Sequence, residues 1–414
     1  MCEKAKAKKI FMEALSSVMP KNLIVDALGY HDNILTVQGE SFDLSAYDNV
    51  YVYGSGKASI EMAKAMGILL KDKITHNMVV SNYSEKVAGV EVLKSTHPLP
   101  SDKSIQAGEA LITAFKKMHE RDFFIYLLSG GSSALIEKPV QGVLLEDFIA
   151  LTKVLLHHGL SIDEMNVIRK YFSQIKGGGL GSKSKADGIV LVVSDVIGDD
   201  LQAIGSAPLL ANDATKQTLM DIIDKYNILH LLPKSVKYIL ENDDTTLDKE
   251  VKEYPHFLIA SNRIALSKAK EVATSLGLKA DIVSDSLEGD VREVSAYIVE
   301  TAQKSSKEVL LFGGEPTVQV KGDGNGGRNQ ELCLWVLKKM QEGEAFTFLS
   351  AGSDGIDGNS DAAGAVVCQE DYHDRADDFL ANNDSYHYLK EQKSLIMTGE
   401  SGTNIMDIMI VVKG

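Results

Sequence analysis

The segment of residues 322–333 combines a flexible backbone with a fixed positive charge. Gly324, Gly326 and Gly327 precede Arg328, which begins a predicted helix that ends near Met340. Backbone amides at a helix N-terminus attract anions, and a guanidinium can bind a phosphate or carboxylate through two parallel hydrogen bonds. The pattern predicts an anion site. A glycine-rich hairpin turn with a surface arginine is the alternative.

A second glycine loop, residues 54–57, follows the predicted strand Val50–Tyr53 and opens a helix. Gly56 frees the backbone to approach a phosphate, and Lys57 supplies a point charge beside it. The loop lacks the spacing of a P-loop, and the third glycine of a dinucleotide fingerprint is Ser59. The acidic residue that would hold a ribose is also missing after the next strand. We therefore predict a phosphate contact at Lys57 rather than a dinucleotide site.

A third loop follows the most apolar predicted strand, Asp122–Leu128. It reads Ser129-Gly130-Gly131-Ser132. Consecutive small residues let successive amides converge on an anion, and the serine hydroxyls add donors. An ordinary tight turn between a strand and a helix is the alternative.

Acidic residues follow two further strands. Asp195 and Asp199 come after Ile189–Ser194, where one or two carboxylates suit magnesium that also binds substrate phosphates. Asp195 could instead accept a proton from a substrate hydroxyl, and helix capping is the alternative for Asp199. Asp354 lies in a loop of aspartates and glycines, which predicts either a polar rim for substrate or metal or plain turn residues. Ala365 stands where an EF-hand needs glutamate.

Basic residues concentrate between Met165 and Ala186, where no acidic residue occurs. Arg169, Lys170 and Lys176 are candidates to bind an anionic ligand, although charged stretches commonly form a solvated face. The histidines are scattered, and no serine-histidine-acid order supports hydrolysis through an acyl-enzyme. His97 is interpreted as a turn histidine, with a position facing a ligand cleft as the alternative.

Strands and helices alternate along most of the chain, which predicts a mostly parallel sheet covered on both faces. The predicted strands include 50–53, 77–80, 90–93, 122–128, 189–194, 256–260, 281–284, 309–312, 346–349 and 407–412, and the predicted helices include 4–18, 59–70, 104–118, 146–156 and 162–175. Ligands bind beyond the carboxyl ends of such strands, where the loops above lie. Pro233 and the acidic cluster Glu241–Asp244 predict a boundary between domains of residues 1–240 and 250–414. The opening helix could pack on either domain.

Composition excludes several classes of protein. The 414 residues are 44% hydrophobic and 24% charged, typical of a soluble globular protein. A formal charge of −15 argues against nucleic acid as a partner. No apolar run is long enough for a membrane span, and the charged N-terminus is unlike a secretory signal. Cys2, Cys333 and Cys368 lack paired or metal-ligand spacing, which favours a cytoplasmic location.

Taken together, the loops resemble those of the class II glycerate kinases, whose C-terminal part is the MOFRL domain. The shared motifs are Gly54-Ser-Gly-Lys57-Ala58, His97-Pro-Leu-Pro100, Leu128-Ser-Gly-Gly-Ser-Ser-Ala134, Asn166-Val-Ile-Arg-Lys170, Ser173-Gln-Ile-Lys-Gly-Gly178, Ser194-Asp-Val-Ile-Gly-Asp199, Gly313-Gly-Glu315, Gly326-Gly-Arg-Asn-Gln-Glu331, Ala351-Gly-Ser-Asp-Gly-Ile-Asp-Gly358 and Gly402-Thr-Asn404. The chain departs from the usual family pattern at Ser132, where a third glycine is usual, and at Ile197, Ala207 and Tyr171. These differences bear on substrate preference more than on the class of reaction.

The resemblance implies a fold and a reaction. It implies two α/β/α domains, the first Rossmann-like with a mostly parallel sheet and the second a smaller MOFRL-type domain, with the active site in the cleft between them. The implied reaction transfers the γ-phosphoryl group of ATP to the 2-hydroxyl of D-glycerate and needs Mg²⁺ or another divalent cation. Lys57 and Arg328 fall on the lysine and arginine thought essential in the family.

From these patterns we form one hypothesis about residue roles. Lys57 and Arg328 stabilise phosphate charge, and Asp195 serves the metal or the attacking hydroxyl. Phosphate and substrate contacts are expected from Gly56, Ser129, Gly130, Gly131, Ser132, Arg169, Lys176, Glu315, Asn329 and Asp354, and metal contacts from Asp195 and Asp199. Arg169 or Lys176 is expected to pair with the glycerate carboxylate. A monomer or homodimer is expected. The alternatives are a hydroxypyruvate reductase that uses NADH or NADPH, and a non-catalytic sensor of a phosphorylated metabolite.

Overall fold

The computed structural model describes residues 3–212, 214–242 and 250–414. The strands are β1 (Leu28–His31), β2 (Ile34–Val37), β3 (Glu40–Asp43), β4 (Asn49–Ser55), β5 (His76–Ser81), β6 (Glu91–Lys94), β7 (Asp122–Leu128), β8 (Asp187–Val193), β9 (His256–Ala260), β10 (Ala280–Leu287), β11 (Val309–Gly314), β12 (Phe346–Gly352), β13 (Gly364–Val367), β14 (Leu395–Ile396) and β15 (Asp407–Lys413). The helices are α1 (Glu3–Val18), α2 (Pro20–Ala27), α3 (Ser59–Leu70), α4 (Asp102–Lys117), α5 (Ser132–Leu135), α6 (Leu145–His157), α7 (Ile162–Tyr171), α8 (Lys216–Lys225), α9 (Lys234–Asn242), α10 (Asn262–Ser275), α11 (Val291–Lys304), α12 (Arg328–Lys339), α13 (Ala376–Ala381) and α14 (Ser385–Glu391). Strands and helices thus alternate through most of the described chain, as the sequence predicts.

Packing divides the described residues into two compact units. The N-terminal unit comprises the described residues of Ile24–Val193 and Asp200–Ile259, and the C-terminal unit comprises those up to Leu23, Ser194–Asp199 and Ala260–Gly414. The helix α1 belongs to the C-terminal unit, where it contacts α10 and β15. Its buried residues follow the three- and four-residue spacing of one helix face.

The domain boundary predicted from the sequence does not coincide with the position at which the packing changes. The sequence predicts domains of residues 1–240 and 250–414, whereas packing changes from one unit to the other at Ile259 and Ala260 and assigns α1 to the C-terminal unit. Residues 243–249, which include part of the acidic cluster, lie outside the described residues. The division into those two domains stays a prediction.

The N-terminal unit is built on a six-stranded sheet in the order β6-β5-β4-β7-β8-β9. The pairings from β6 through β8 are all parallel. Every residue of β7 is buried, as its continuous apolar sequence requires in a sheet covered on both faces. Because β4 and β7 are neighbours and parallel, the loops that follow them lie side by side.

The C-terminal unit contains a mixed sheet in the order β10-β11-β15-β12-β13-β14. The strands β10 and β11 pair in parallel, and the other pairings are antiparallel. The strand β15 lies between β11 and β12, so its first residue, Asp407, faces Gly314 on one side and Gly352 on the other. This register brings the ends of three strands to one place.

A small antiparallel sheet of β1, β2 and β3 has no counterpart in the sequence-based prediction. Its strands are four residues long, and their buried residues are Leu28, Leu35 and Val37, so they lack a strong apolar pattern. The turn between β1 and β2 places Asp32 at φ 50° and Asn33 at φ 65°. Two residues with positive φ favour a tight hairpin, and Asp-Asn was the available signal.

Two predictions from composition concern membrane-spanning segments and the cysteines. Within the described ranges, no helix is both long enough and apolar enough to cross a bilayer. Cys333 and Cys368 are free thiols, and Cys2 lies outside the described residues.

Candidate active site

Two loops of the N-terminal unit, residues 55–58 and 129–133, are joined by hydrogen bonds; we call them the paired loops. The Ser129 amide donates to the Ser55 carbonyl at 3.1 Å, and the Lys57 amide donates to the Gly130 carbonyl at 2.9 Å. The Ala58 amide donates to the Ser129 hydroxyl at 3.1 Å. The two predicted phosphate loops therefore form one structure.

Close approach of the paired loops requires glycine at Gly56. Its φ is 132°, and a Cβ there would lie 2.1 Å from the hydroxyl oxygen of Ser129. Gly131 has φ 83°, and a Cβ there would lie 3.1 Å from the His97 ring and 3.4 Å from the Lys57 side chain. Gly131 thus leaves its backbone open between a histidine and a lysine.

Unused donors remain in the paired loops. The amides of Gly130, Gly131 and Ser132 donate no hydrogen bond to any other described residue. The Lys57 ammonium likewise has no ion pair or hydrogen bond within the described ranges. Amides and an ammonium with no internal partner suit a ligand with several anionic oxygens.

The serine hydroxyls are used inside the protein instead. The hydroxyl of Ser55 lies 2.5 Å from that of Ser132 and 2.6 Å from that of Tyr126. The hydroxyl of Ser129 accepts from Ala58, as described above. The Ser132 hydroxyl is thus engaged with Ser55, whereas the Ser129 hydroxyl only accepts in this contact and can still donate to a ligand, so the expected donor role stays a prediction.

His97 was interpreted from sequence as a turn residue, and the structure gives it a place beside Gly131. Partial burial of its ring and the nearby Lys57 ammonium both lower the pKa of His97. The His97 ring therefore remains neutral down to a lower pH than the ring of an ordinary histidine. His97 was not among the predicted site residues, although its position before Pro98 was the available signal.

The basic stretch separates into buried and half-buried side chains. The ammonium of Lys176 is fully buried, 2.8 Å from the carboxylate of Glu137, and donates to the carbonyl of Ser133 at 2.6 Å. Burial lowers the pKa of Lys176, and the Glu137 carboxylate opposes that change. Lys176 therefore stabilises the loop of residues 129–133 through its hydrogen bond to Ser133. Because its ammonium is buried, this placement does not favour the direct substrate contact that was expected.

Arg169 lies in the same region, at the last turn of α7. Its Nε atom is buried and has no hydrogen-bond partner in the described structure. Its charged neighbour is Glu137, which is already paired with Lys176. One carboxylate thus faces two cations, and a buried guanidinium with an unused donor suits an anionic ligand.

In the C-terminal unit, Arg328 is held by two carboxylates. Its Nε and Nη2 atoms donate to Asp407 at 2.6 Å and 3.1 Å, and its Nη1 atom donates to Glu315 at 2.7 Å. These carboxylates raise the pKa of Arg328 against the effect of burial. A guanidinium has five N–H groups, so two remain for a ligand. Glu315, expected to contact substrate, is placed to orient Arg328.

The N-terminus of α12 is occupied by the chain itself. The carboxylate of Asp357 accepts from the amides of Asn329 at 3.1 Å and Gln330 at 2.8 Å. These amides were predicted to bind an external anion, and an internal carboxylate takes that place because it is buried against the same helix end. Burial raises the pKa of Asp357 to about 6, and the two amide donors oppose this change.

The predicted substrate contacts Asn329 and Asp354 differ in their accessibility. Asn329 is buried, and its side chain bonds to Asp357 and to the hydroxyl of Ser350. Asp354 is half-buried, accepts from the Ile356 amide at 3.1 Å and remains partly accessible. Asn329 braces the loop that carries Asp357, whereas Asp354 can still reach a ligand.

Comparison with known proteins now defines the relationship of the whole chain. Residues 6–241 match the family described as "Domain of unknown function (DUF4147)", and residues 308–407 match the MOFRL family. A protein of Pyrococcus horikoshii named glycerate 2-kinase is 34% identical over 97% of this chain and 95% of its own length. The chain belongs to the glycerate 2-kinase family.

Further relatives agree, with one difference of name. A Thermotoga maritima protein named D-glycerate 2-kinase is 35% identical over 88% of this chain and 90% of its own length. A crystal structure of glycerate kinase from that organism aligns with a TM-score of 0.87 at 32% identity, covering 99% of each chain. A relative from Agrobacterium vitis, 34% identical over 88% of this chain and 99% of its own length, is named as a candidate hydroxypyruvate reductase.

Within this glycerate 2-kinase fold, Asp195 and Asp199 follow β8 and are half-buried. Neither joins a cluster of three or more histidine, cysteine or acidic residues that could hold a metal, and the described residues contain no such cluster elsewhere. Magnesium commonly takes only one or two protein carboxylates together with substrate phosphates. The donor set therefore fits a metal shared with a nucleotide better than a resident ion.

Proposed function

We propose that this protein transfers the γ-phosphoryl group of ATP to the 2-hydroxyl of D-glycerate. The oxygen of that hydroxyl forms a bond to phosphorus, the bond to ADP breaks, and the hydroxyl proton is released. The observation that carries the proposal is the set of unused amides beside Lys57 in the paired loops. Membership of the glycerate 2-kinase family supports the same reaction.

The paired loops would hold the transferring phosphoryl group. Phosphoryl transfer depends on positioning and on stabilising negative charge spread over three oxygens, with little covalent chemistry from the protein. The amides of Gly130 and Gly131 and the ammonium of Lys57 supply fixed donors of this kind. Because they are in place before the ligand arrives, they need no reorganisation during the reaction.

Arg328, which lies in the C-terminal unit, would stabilise phosphate charge. Asp407 and Glu315 fix the plane of its guanidinium and leave two N–H groups. A planar guanidinium with two adjacent donors matches phosphate geometry, which an ammonium does not. Asp354 would complete the polar surroundings of the substrate.

Arg169 would bind the glycerate carboxylate. Its buried Nε has no partner within the described structure, and the Glu137 charge beside it is shared with Lys176. An incoming carboxylate would supply both the missing acceptor and the missing negative charge. We assign the carboxylate to Arg169 rather than to Lys176, because the Lys176 ammonium is fully buried.

Magnesium or another divalent cation would act together with ATP. When bound, such an ion neutralises phosphate charge. Asp195 and Asp199 are the carboxylates we propose to hold it, and Asp195 alternatively accepts the proton of the attacking hydroxyl. We also propose a cytoplasmic location, which the free thiols of Cys333 and Cys368 support. For the oligomeric state we propose a monomer or homodimer.

A coupled assay tests the reaction. Purified protein is incubated with ATP, magnesium and D-glycerate, and enolase is added without phosphoglycerate mutase. Phosphoenolpyruvate forms only when the 2-hydroxyl has been phosphorylated. Lys57→Met should abolish most of the signal, and Lys64→Met is the matched control because Lys64 pairs with Glu61 and Glu85 on the surface of α3.

The same protein sample decides between the alternatives. The relative named as a candidate hydroxypyruvate reductase favours a test with hydroxypyruvate and NADH or NADPH. Consumption of either cofactor without formation of phosphoenolpyruvate would support a reductase. A protein that binds a phosphorylated metabolite but turns over neither substrate pair would be a sensor.

A further inference from the structure

Glu137 and Lys176 form an ion pair in the interior of the N-terminal unit. Both side chains are 0% exposed, and the Nζ and Oε2 atoms are 2.8 Å apart. Glu137 follows α5, and Lys176 lies five residues after α7 ends, so the pair connects two segments that are distant in sequence. Charges buried in this way are seldom retained for stability alone, because desolvation offsets much of their attraction.

Each member of the pair is fixed by further hydrogen bonds. The hydroxyl of Ser173 donates to the Oε1 atom of Glu137 at 2.5 Å, and the amide of Lys138 donates to the same atom at 2.9 Å. The hydroxyl of Ser173 also accepts from the amide of Lys176 at 3.2 Å. The carboxylate is therefore held from two sides, and it sets the position of the ammonium.

The ammonium of Lys176 acts on one of the paired loops directly. It donates to the carbonyl of Ser133 at 2.6 Å. Ser133 is the last residue of the loop 129–133. It follows Ser132 directly and lies two residues after Gly131. Because the amides of Gly131 and Ser132 are the unused donors of that loop, a displacement of Ser133 would move them.

We infer that the Glu137–Lys176 pair positions the amides of residues 130–132 for phosphoryl transfer, without touching the substrate itself. This inference rests on the proposed function of the paired loops. It makes Lys176 a positioning residue in place of a substrate contact, and it adds Glu137, which no sequence motif suggested.

The decisive variant removes both charges together. Loss of one partner alone would leave an uncompensated buried charge and could prevent folding, whereas removal of both is commonly tolerated. In Glu137→Gln with Lys176→Met, the amide oxygen still accepts from Ser173 and Lys138. The carbonyl of Ser133 loses its ammonium donor. The matched control is Lys138→Met, because Lys138 pairs with Glu109 on the surface next to the buried pair.

The expected result separates positioning from a structural role. The double variant should unfold at a temperature close to wild type, and its kcat should fall at least fivefold. Its KM for D-glycerate should change less than threefold, because residues 130–132 serve the phosphoryl group. Lys138→Met should match wild type in all three values. A folded double variant with less than a fivefold loss of kcat would overturn the inference.

Hydrogen exchange gives a second readout that does not depend on activity. The amides of Ala134, Leu135 and Ile136, which donate to the carbonyls of Gly131 and Ser132, should exchange at least fivefold faster in the double variant, with little change elsewhere in the N-terminal unit. Unchanged exchange there would overturn the inference even if the wild-type protein phosphorylates D-glycerate. Absence of phosphoenolpyruvate with the wild-type protein would instead refute the proposed function, and the exchange result would still decide the positioning role. If the double variant does not fold, Ser173→Ala carries the same comparison.

Discussion

The guanidinium of Arg328 and the carboxylate of Asp407 are joined by two hydrogen bonds, and the carboxylate is almost completely buried. Asp407 begins the central strand β15, so the arginine is anchored to the most constrained part of its sheet. A third hydrogen bond to Glu315 leaves the guanidinium one orientation. This anchoring predicts that its geometry matters as much as its charge.

Arg328→Lys should therefore lower kcat by about 100-fold, which corresponds to about 2.7 kcal/mol. An ammonium keeps the charge but cannot bond to Asp407, Glu315 and a phosphate in one plane. Steady-state kinetics and thermal unfolding measure the two effects separately. The matched control is Arg292→Lys, because Arg292 also pairs through two nitrogens with one carboxylate, Asp290, at a helix start. Near-normal turnover in Arg328→Lys would remove this arginine from the mechanism.

Arg169→Gln should raise KM for D-glycerate at least tenfold and leave KM for ATP nearly unchanged. The change removes the buried donor that we assign to the substrate carboxylate. Initial rates at varied D-glycerate and fixed ATP measure it. Arg121→Gln, which breaks an exposed pair with Asp48, should leave both constants unaltered. A larger effect on ATP than on D-glycerate would contradict the assignment.

Gly131→Ala should lower both stability and activity. The residue has φ 83°, a conformation that costs a side chain roughly 1–2 kcal/mol. The added methyl group would also crowd His97 and Lys57. The control is Gly39→Ala, which has φ 89° but meets no atom within 4 Å. Urea unfolding should show a similar loss of stability in both, whereas only Gly131→Ala should reduce kcat. Equal activity in the two variants would place Gly131 outside the phosphate site.

The raised pKa of Asp357 predicts that the stability of the protein depends on pH in a specific way. Its pKa is about 6 in the folded protein and 3.8 as the ordinary value, so the folded state binds more protons between those limits. Its contribution is therefore complete below pH 3.8 and is lost as pH rises through 6, by up to roughly 3 kcal/mol. Other carboxylates also titrate, some with lowered pKa values, such as Glu164, and some with raised values, such as Glu331, so the measurement is a difference between proteins.

Urea unfolding of wild type and Asp357→Asn at pH 5 and pH 7 isolates this contribution. The asparagine cannot ionise, and its side-chain oxygen still accepts from one amide of α12. The stability lost between pH 5 and pH 7 should be smaller in the variant than in wild type. A larger loss in Asp357→Asn would show that the carboxylate is not the group responsible.

Several elements could be predicted closely from the sequence. The strands β7 and β9 and the helix α3 have the predicted bounds, because long apolar runs and a helical pattern define them. The loops after β4 and β7 lie beyond the carboxyl ends of their strands as predicted, whereas the pairing of the two strands, which brings the loops side by side, was not predicted. Gly56 and Gly131 in these loops also occupy the positive-φ region that favours glycine.

Other features depended on contacts between distant residues and had no local signal. Asp357 lies 28 residues from the amide of Asn329, so nothing near α12 indicated that its N-terminus was already occupied. Glu137 and Lys176 belong to different segments, and a lysine before three glycines looked the same whether exposed or buried. Burial, which residue type does not reveal, distinguishes Lys176, which donates to the Ser133 carbonyl, from the half-buried Lys57.

The central position of β15 has a consequence for synthesis of the protein on the ribosome. Residues 407–413 separate β11 from β12, so the ribosome makes them after every other strand of that sheet. Until they emerge from the exit tunnel, the nascent chain has neither the middle of the sheet nor the carboxylate that anchors Arg328. An unfinished polypeptide therefore lacks the anchored guanidinium that we propose for phosphoryl transfer, and we expect activity only when translation has passed this strand.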